Sequence, residues 1–101
     1  MKSNRFLCLD TSQIVYHKGL LLKGVVINCH ASDGYSTLYD GLDATSGRKI
    51  GRINGQSKVS TPIDFGEGIR IERGLYVAFG DHTDQVIVYF DPFETVLESE
   101  E

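Results

Sequence analysis

Residues 74–92 read GLYVAFGDHTDQVIVYFDP, and this stretch constrains the fold more than any other. Two apolar runs, residues 75–80 and 85–90, flank the polar segment Asp81-His82-Thr83-Asp84. Both runs are rich in aromatic and β-branched residues, which suit the pleated, half-buried surface of a sheet. Runs of strand length joined by a short polar loop predict a β-hairpin. In that register Leu75 faces Phe90, Val77 faces Val88 and Phe79 faces Val86, all on one side of the ribbon. A side so uniformly apolar belongs to a core. The other side sets Tyr76 opposite Tyr89 and Ala78 opposite Ile87, and is more apolar than a water-facing surface needs. Tyr76, Ala78, Ile87 and Tyr89 are therefore the candidate assembly interface.

The remainder of the chain also reads as short strands and turns. Residues 5–9 and 13–17 are strand candidates around Asp10-Thr11-Ser12, and Lys18-Gly19 is a turn signal. Residues 20–29, LLLKGVVINC, form a longer strand in which Lys23 and Gly24 suggest a bulge or bend. Residues 35–40 place Tyr35, Thr37 and Tyr39 on one face and Leu38 on the other. Residues 48–53 are their return strand, anchored by Ile50 and Ile53. Asn54-Gly55 is a strong turn pair. Residues 57–61 read as a thin edge segment closed by Pro62, and Gly66-Glu67-Gly68 as a turn before the alternating residues 69–73. After Pro92 the tail is acidic, with Phe93, Val96 and Leu97 as docking candidates. No amphipathic helix and no repeat is visible. Strands at turn spacings of about ten residues predict an all-β chain: one antiparallel β-sandwich, jelly-roll-like, with about eight strands. A closed barrel of OB type is the alternative. The expected division is an N-terminal arm or first strands over residues 1–18, a sandwich core over 19–92 and a tail over 93–101.

The 101 residues suit a single domain. A formal net charge of −4 argues against a protein built to neutralise phosphates, so no nucleic-acid partner is expected. The cationic residues are scattered, apart from Arg48, Lys49 and Arg52 at a hairpin end. The cysteines, Cys8 and Cys29, lie in apolar strand contexts and read as buried free thiols. The opening MKSNRFLCLDTSQ lacks the apolar region of a secretory signal, and no run approaches a membrane span. The chain is expected to be made in, and stay soluble in, a cytoplasm.

Chemistry-bearing constellations are sparse. The histidines are His17, His30 and His82. Cys29 and His30 are adjacent, so in a strand they point to opposite faces. No CxxC, HxH or HExxH spacing occurs. Asp81, His82 and Asp84, or Asp40 with Asp43, offer oxygen ligands for Ca²⁺, but without the ligand count of an EF-hand. Local backbone hydrogen bonding is the simpler role for such loop residues. There is no GxSxG, GxGxxG or P-loop. No catalytic residue, metal or cofactor is assigned, and the chain is not expected to be an enzyme. Tyr35, Tyr39, Tyr76 and Tyr89 remain open to three readings: a sugar-stacking platform, a protein interface, or ordinary half-buried strand tyrosines.

Three segments carry a resemblance: GLLLKGVVINCHASDGYSTLYDGLDATSGRKIGRI from Gly19, then PIDFGEGIRIERGLYV, then the closing VIVYF. Together, over about residues 19–91, they resemble small phage virion structural proteins of β-sandwich type, the head-decoration and minor capsid proteins. The resemblance implies a small sandwich present in many copies on a virus particle. The expected function is accordingly a virion structural protein, made in the host cytoplasm, that stabilises or caps the major capsid shell. Its expected partners are its own copies, as a trimer or pentamer, and the major capsid protein or other virion proteins. The alternative is a carbohydrate- or receptor-binding β-sandwich module on a phage tail or spike.

Overall fold

The structure, a computed structural model, describes residues 5–29 and 31–93. Alternating apolar residues produce eight strands: β1 (Arg5–Leu9), β2 (Gln13–Tyr16), β3 (Leu20–Cys29), β4 (Gly34–Asp40), β5 (Arg48–Gly55), β6 (Ser60–Ile71), β7 (Leu75–Phe79) and β8 (Thr83–Pro92). No helix occurs among the described residues. The strands form two four-stranded antiparallel sheets, ordered β1-β8-β3-β6 and β2-β7-β4-β5. Leu9, Leu20, Leu22, Val25, Ile27, Ile71, Val86, Val88 and Phe90 of the first sheet share one buried core with Val15, Leu38, Ile53, Leu75 and Val77 of the second. The chain is thus an all-β sandwich, as the strand pattern predicts.

Four of the ladders are nested: β1 with β8, β2 with β7, β3 with β6 and β4 with β5. Two further ladders, β3 with β8 and β4 with β7, complete the sheets. Among the described strands, six of the seven sequential connections pass from one sheet to the other, and β4–β5 alone stays within a sheet.

That winding corrects the opening expectation. Residues 74–92 are not a hairpin, because β7 and β8 lie in different sheets. The core side was read correctly: Leu75, Val77, Val86, Val88 and Phe90 are all buried. A strand needs one apolar face whether its neighbour lies beside it in a ladder or across the core, so alternation does not distinguish the two arrangements. Gly74 carries the chain into β7 with φ +133°, and a Cβ there would come within 2.8 Å of the Tyr16 carbonyl.

Two turn signals are corrected as well. Asn54 and Gly55 lie inside β5, paired with Tyr35 and Gly34. Gly66-Glu67-Gly68 does not separate two strands. Residues 60–71 form one strand, and its ladder to β3 jumps from Asp64↔Gly24 to Ile69↔Leu22, so residues 65–68 bulge out. Gly66 (φ +65°) and Gly68 (φ +113°) supply the backbone this needs. Lys23 Nζ donates to the Glu67 carbonyl at 3.3 Å, and the Gly66 N–H to Asp64 Oδ1 at 2.8 Å.

The bulge expected at Lys23 is present. Leu22 pairs with Phe90 and Gly24 with Tyr89, which leaves Lys23 as the extra residue of β3. The inward parity of β3 therefore switches from Leu20 and Leu22 to Val25, Ile27 and Cys29. Residues 5–16, read as an arm or as first strands, form β1 and β2. The expected docking of Val96 and Leu97 lies outside the described residues. Phe93 is within them: its N–H donates to the Gly19 carbonyl at 3.2 Å, and the Arg70 guanidinium lies 4.6 Å from its ring centroid.

Candidate contact surface

The four residues expected to share one assembly face fall on two. Tyr76 and Ala78 lie in the second sheet, where Tyr76 pairs with Ile14 and Tyr39, and Ala78 with Thr37. Ile87 and Tyr89 lie in the first, where Ile87 pairs with Cys8 and Val26, and Tyr89 with Phe6 and Gly24. The two sheets meet through their inner faces, so the pairs are on opposite outsides of the sandwich.

The outer face of the first sheet follows from its ladder registers. One row runs Phe6, Tyr89, Gly24, Asp64 from β1 to β6. The next runs Cys8, Ile87, Val26, Pro62 and contains no charged residue. Gln85, Asn28 and Ser60 follow on one flank, with Asn28 Nδ2 donating to Gln85 Oε1 at 2.9 Å. Asp91, Leu21 and Arg70 lie on the other. Phe6 is 64% exposed and Tyr89 38%, with ring centroids 6.0 Å apart. Gly24 has no side chain, and beside it a hollow of about 320 Å³ opens between Val26, Pro62 and Tyr89. This is an apolar centre with a polar margin, the anatomy of a protein contact surface.

Residue-level reading missed Phe6, Gly24, Val26 and Pro62. In RFLCL both parities are apolar, so alternation does not say which side faces out. Only the ladder to β8 shows that Leu9 is buried while Phe6 and Cys8 are exposed. Cys8 was expected to be buried, and that is corrected here. Cys29 is a buried free thiol, as expected. Burial pushes its pKa up; a backbone hydrogen bond at Gly34 opposes this, and the charges of Asp84 and Asp33 add to it.

The outer face of the second sheet gathers Tyr35, Tyr39 and Tyr76, three of the four tyrosines considered for sugar stacking; Tyr89 is on the far side. The Tyr39 and Tyr76 rings are inclined at 51° with centroids 6.3 Å apart. The Arg52 guanidinium lies 4.0 Å from the Tyr35 centroid. Tyr39 and Tyr76 are therefore inclined to each other and Tyr35 is capped by Arg52, which does not make a flat open platform. Ile14 stands beside it, 42% exposed.

The acidic loops make local hydrogen bonds. Asp43 Oδ1 accepts from the Ser46 N–H at 2.7 Å and from its hydroxyl at 2.9 Å, and these bonds hold the carboxyl below its ordinary pKa. Asp40 accepts from the N–H groups of Arg73 (2.9 Å) and Glu72 (3.3 Å). Asp81 and His82 are exposed in the β7–β8 connection, where His82 has φ +58°, and Asp84 is exposed at the start of β8. No group of three or more His, Cys, Asp or Glu is placed to hold a metal ion among the described residues. His30 lies outside them. No helix among the described residues is long and apolar enough to cross a membrane.

No family model, curated protein or solved structure matches the chain.

Proposed function

We propose that the protein is a virion structural component, a head-decoration or minor capsid protein that works by surface contact through the outer face of the β1-β8-β3-β6 sheet. The observation that carries this reading is the Phe6–Tyr89 row. Two large aromatic side chains stand partly exposed there, beside a charge-free row, on a four-stranded sheet. Burying such a face contributes roughly 25 cal/mol per Å² of apolar surface before the costs of association. The strand order supports the reading too. Nested ladders β1·β8, β2·β7, β3·β6 and β4·β5, folded into two sheets, fit the winding expected of a jelly roll, a sandwich found among viral capsid domains and lectins.

The test is quantitative mass analysis of purified particles of the source virus. The chain in defined stoichiometry with the shell protein supports the reading, and its absence from particles overturns it. The glycan-binding alternative has the tyrosines of the second sheet as its support, and their inclination and the Arg52 cap weigh against it. It requires glycan binding that Tyr76→Ala abolishes.

A further inference from the structure

We infer that the outer face of the β1-β8-β3-β6 sheet pairs with the same face of a second copy, about a two-fold axis that runs along the strands between β8 and β3. This rests on reading that face as the contact surface, and adds the partner and its symmetry.

The argument is the order of residues across the rows. Phe6, Tyr89, Gly24 and Asp64 place two large side chains on the β1–β8 half, and a bare backbone and a short acid on the β3–β6 half. The two-fold lays β1 over the partner's β6 and β8 over its β3. Tyr89 of each copy then meets the backbone at the other's Gly24. Phe6, the most exposed large apolar side chain of the described residues, reaches the hollow beside Gly24 and Pro62. In the charge-free row, Ile87 meets Val26 and Cys8 meets Pro62. The two aromatic positions of one half thus have a bare backbone and a hollow as counterparts in the other, and the charge-free row sets apolar against apolar, the self-complementarity an isologous contact requires. A two-fold across the strands through this row would instead stack Phe6 and Tyr89 on their own copies and leave both hollows empty.

The area suffices. At about 4.8 Å of width per strand, with β3 and β8 running about 34 Å, the five residues of β1 about 17 Å and the eight paired residues of β6 about 27 Å, the face projects about 540 Å². Two copies bury about 1,100 Å², just above the roughly 1,000 Å² that a specific pair with complementary surfaces needs. Gln85, Asn28, Ser60 and Arg70 fall at the margin, where water reaches them, and Asp64, on the edge strand β6, lines the hollow that Phe6 enters.

The test is site-directed cross-linking of the full chain with a bifunctional maleimide of about 8–10 Å reach, matched to the ~10 Å separation of packed sheets. Cys8 is exposed and its copies lie about three strands apart laterally in the proposed pair, so the native chain stays unlinked. Pro62→Cys brings the new thiol opposite the partner's Cys8 and gives a covalent dimer, which Cys8→Ser in the same chain abolishes. Linking of the native chain through Cys8 alone, or none in the Pro62→Cys chain, overturns the proposed axis. Sedimentation equilibrium tests the pair without the new thiol: twice the chain mass is expected, with Phe6→Ser raising Kd about 30-fold or more, because Phe6 is the aromatic anchor that fills the partner's hollow. A monomer, trimer or pentamer overturns the pair. Particle incorporation by a chain that stays monomeric overturns the pair and leaves the virion reading standing. A dimer that cross-links as described but enters no particle sinks the virion reading and leaves the pair standing.

Discussion

Tyr76 and Tyr89 stand on opposite outer faces of the sandwich, each partnered within its own sheet: Tyr76 with Tyr39 at 6.3 Å, Tyr89 with Phe6 at 6.0 Å between ring centroids. A hairpin of β7 and β8 would have made them cross-strand neighbours. The structure therefore separates two aromatic pairs energetically. In double-mutant cycles, Tyr76→Ala and Tyr89→Ala are expected to add within about 0.3–0.5 kcal/mol. Phe6→Ala and Tyr89→Ala should couple by about 0.5–1.5 kcal/mol. Coupling between Tyr76 and Tyr89 above about 0.5 kcal/mol in urea unfolding would contradict the two-sheet placement.

A second outcome concerns the bond between the sheets. Ser36 of β4 is fully buried, and its hydroxyl donates to Thr83 Oγ1 of β8 at 3.2 Å, while Thr83 Oγ1 donates to the Tyr35 carbonyl at 2.6 Å. Thr83→Val keeps the shape and deletes the shared oxygen, leaving Ser36 without this acceptor in the interior. The expected loss is about 1–3 kcal/mol by chemical denaturation. A neutral result would show that the bond does not contribute.

Glycines separate by backbone conformation. At Gly74, φ is +133° and an added Cβ would crowd the Tyr16 carbonyl; at Gly51 nothing lies within 4 Å of an added Cβ. Gly74→Ala should cost about 1–3 kcal/mol, while Gly51→Ala stays within about 0.5 kcal/mol of the parent. Thermal or denaturant unfolding of the two variants checks the difference.

The two thiols should differ in reactivity toward a thiol reagent. Cys8 is exposed on the single chain and Cys29 buried, so Ellman's reagent should label one equivalent in the dissociated Phe6→Ser chain, react more slowly at Cys8 in the paired parent, and label two equivalents in denaturant. Burial raises the Cys29 pKa above its ordinary 9.0. The folded state therefore holds that proton more tightly than the unfolded state. Its contribution to stability is full below the unfolded pKa and is lost as pH rises through the folded pKa. Stability should fall above about pH 9 with a slope that Cys29→Ala reduces, measured by urea unfolding across that range. An unchanged slope would assign the loss to other groups.

What could be read from residues alone was local. Leu75/Val77 and Val86/Val88 announced their buried side because alternation is a property of one strand. Which strands share a ladder depends on how the chain winds between sheets, and the 74–92 segment looks the same in a hairpin and in a crossing. The same limit split the candidate site: Tyr76 and Tyr89 were joined by a ladder that does not exist. Phe6 was overlooked because its strand is apolar on both sides. Gly66 and Gly68 signalled a departure from regular strand but not whether the strand resumed. Asn54-Gly55, a strong turn pair in isolation, was absorbed into β5 by its pairing with β4.

The most direct test of the account is the mass of the full chain in solution, measured by sedimentation equilibrium alongside Phe6→Ser and Tyr76→Ser. The account predicts twice the chain mass for the parent and for Tyr76→Ser, and dissociation toward single chains for Phe6→Ser. A monomeric parent at millimolar concentration, or a dimer that Tyr76→Ser disrupts and Phe6→Ser leaves intact, would contradict it.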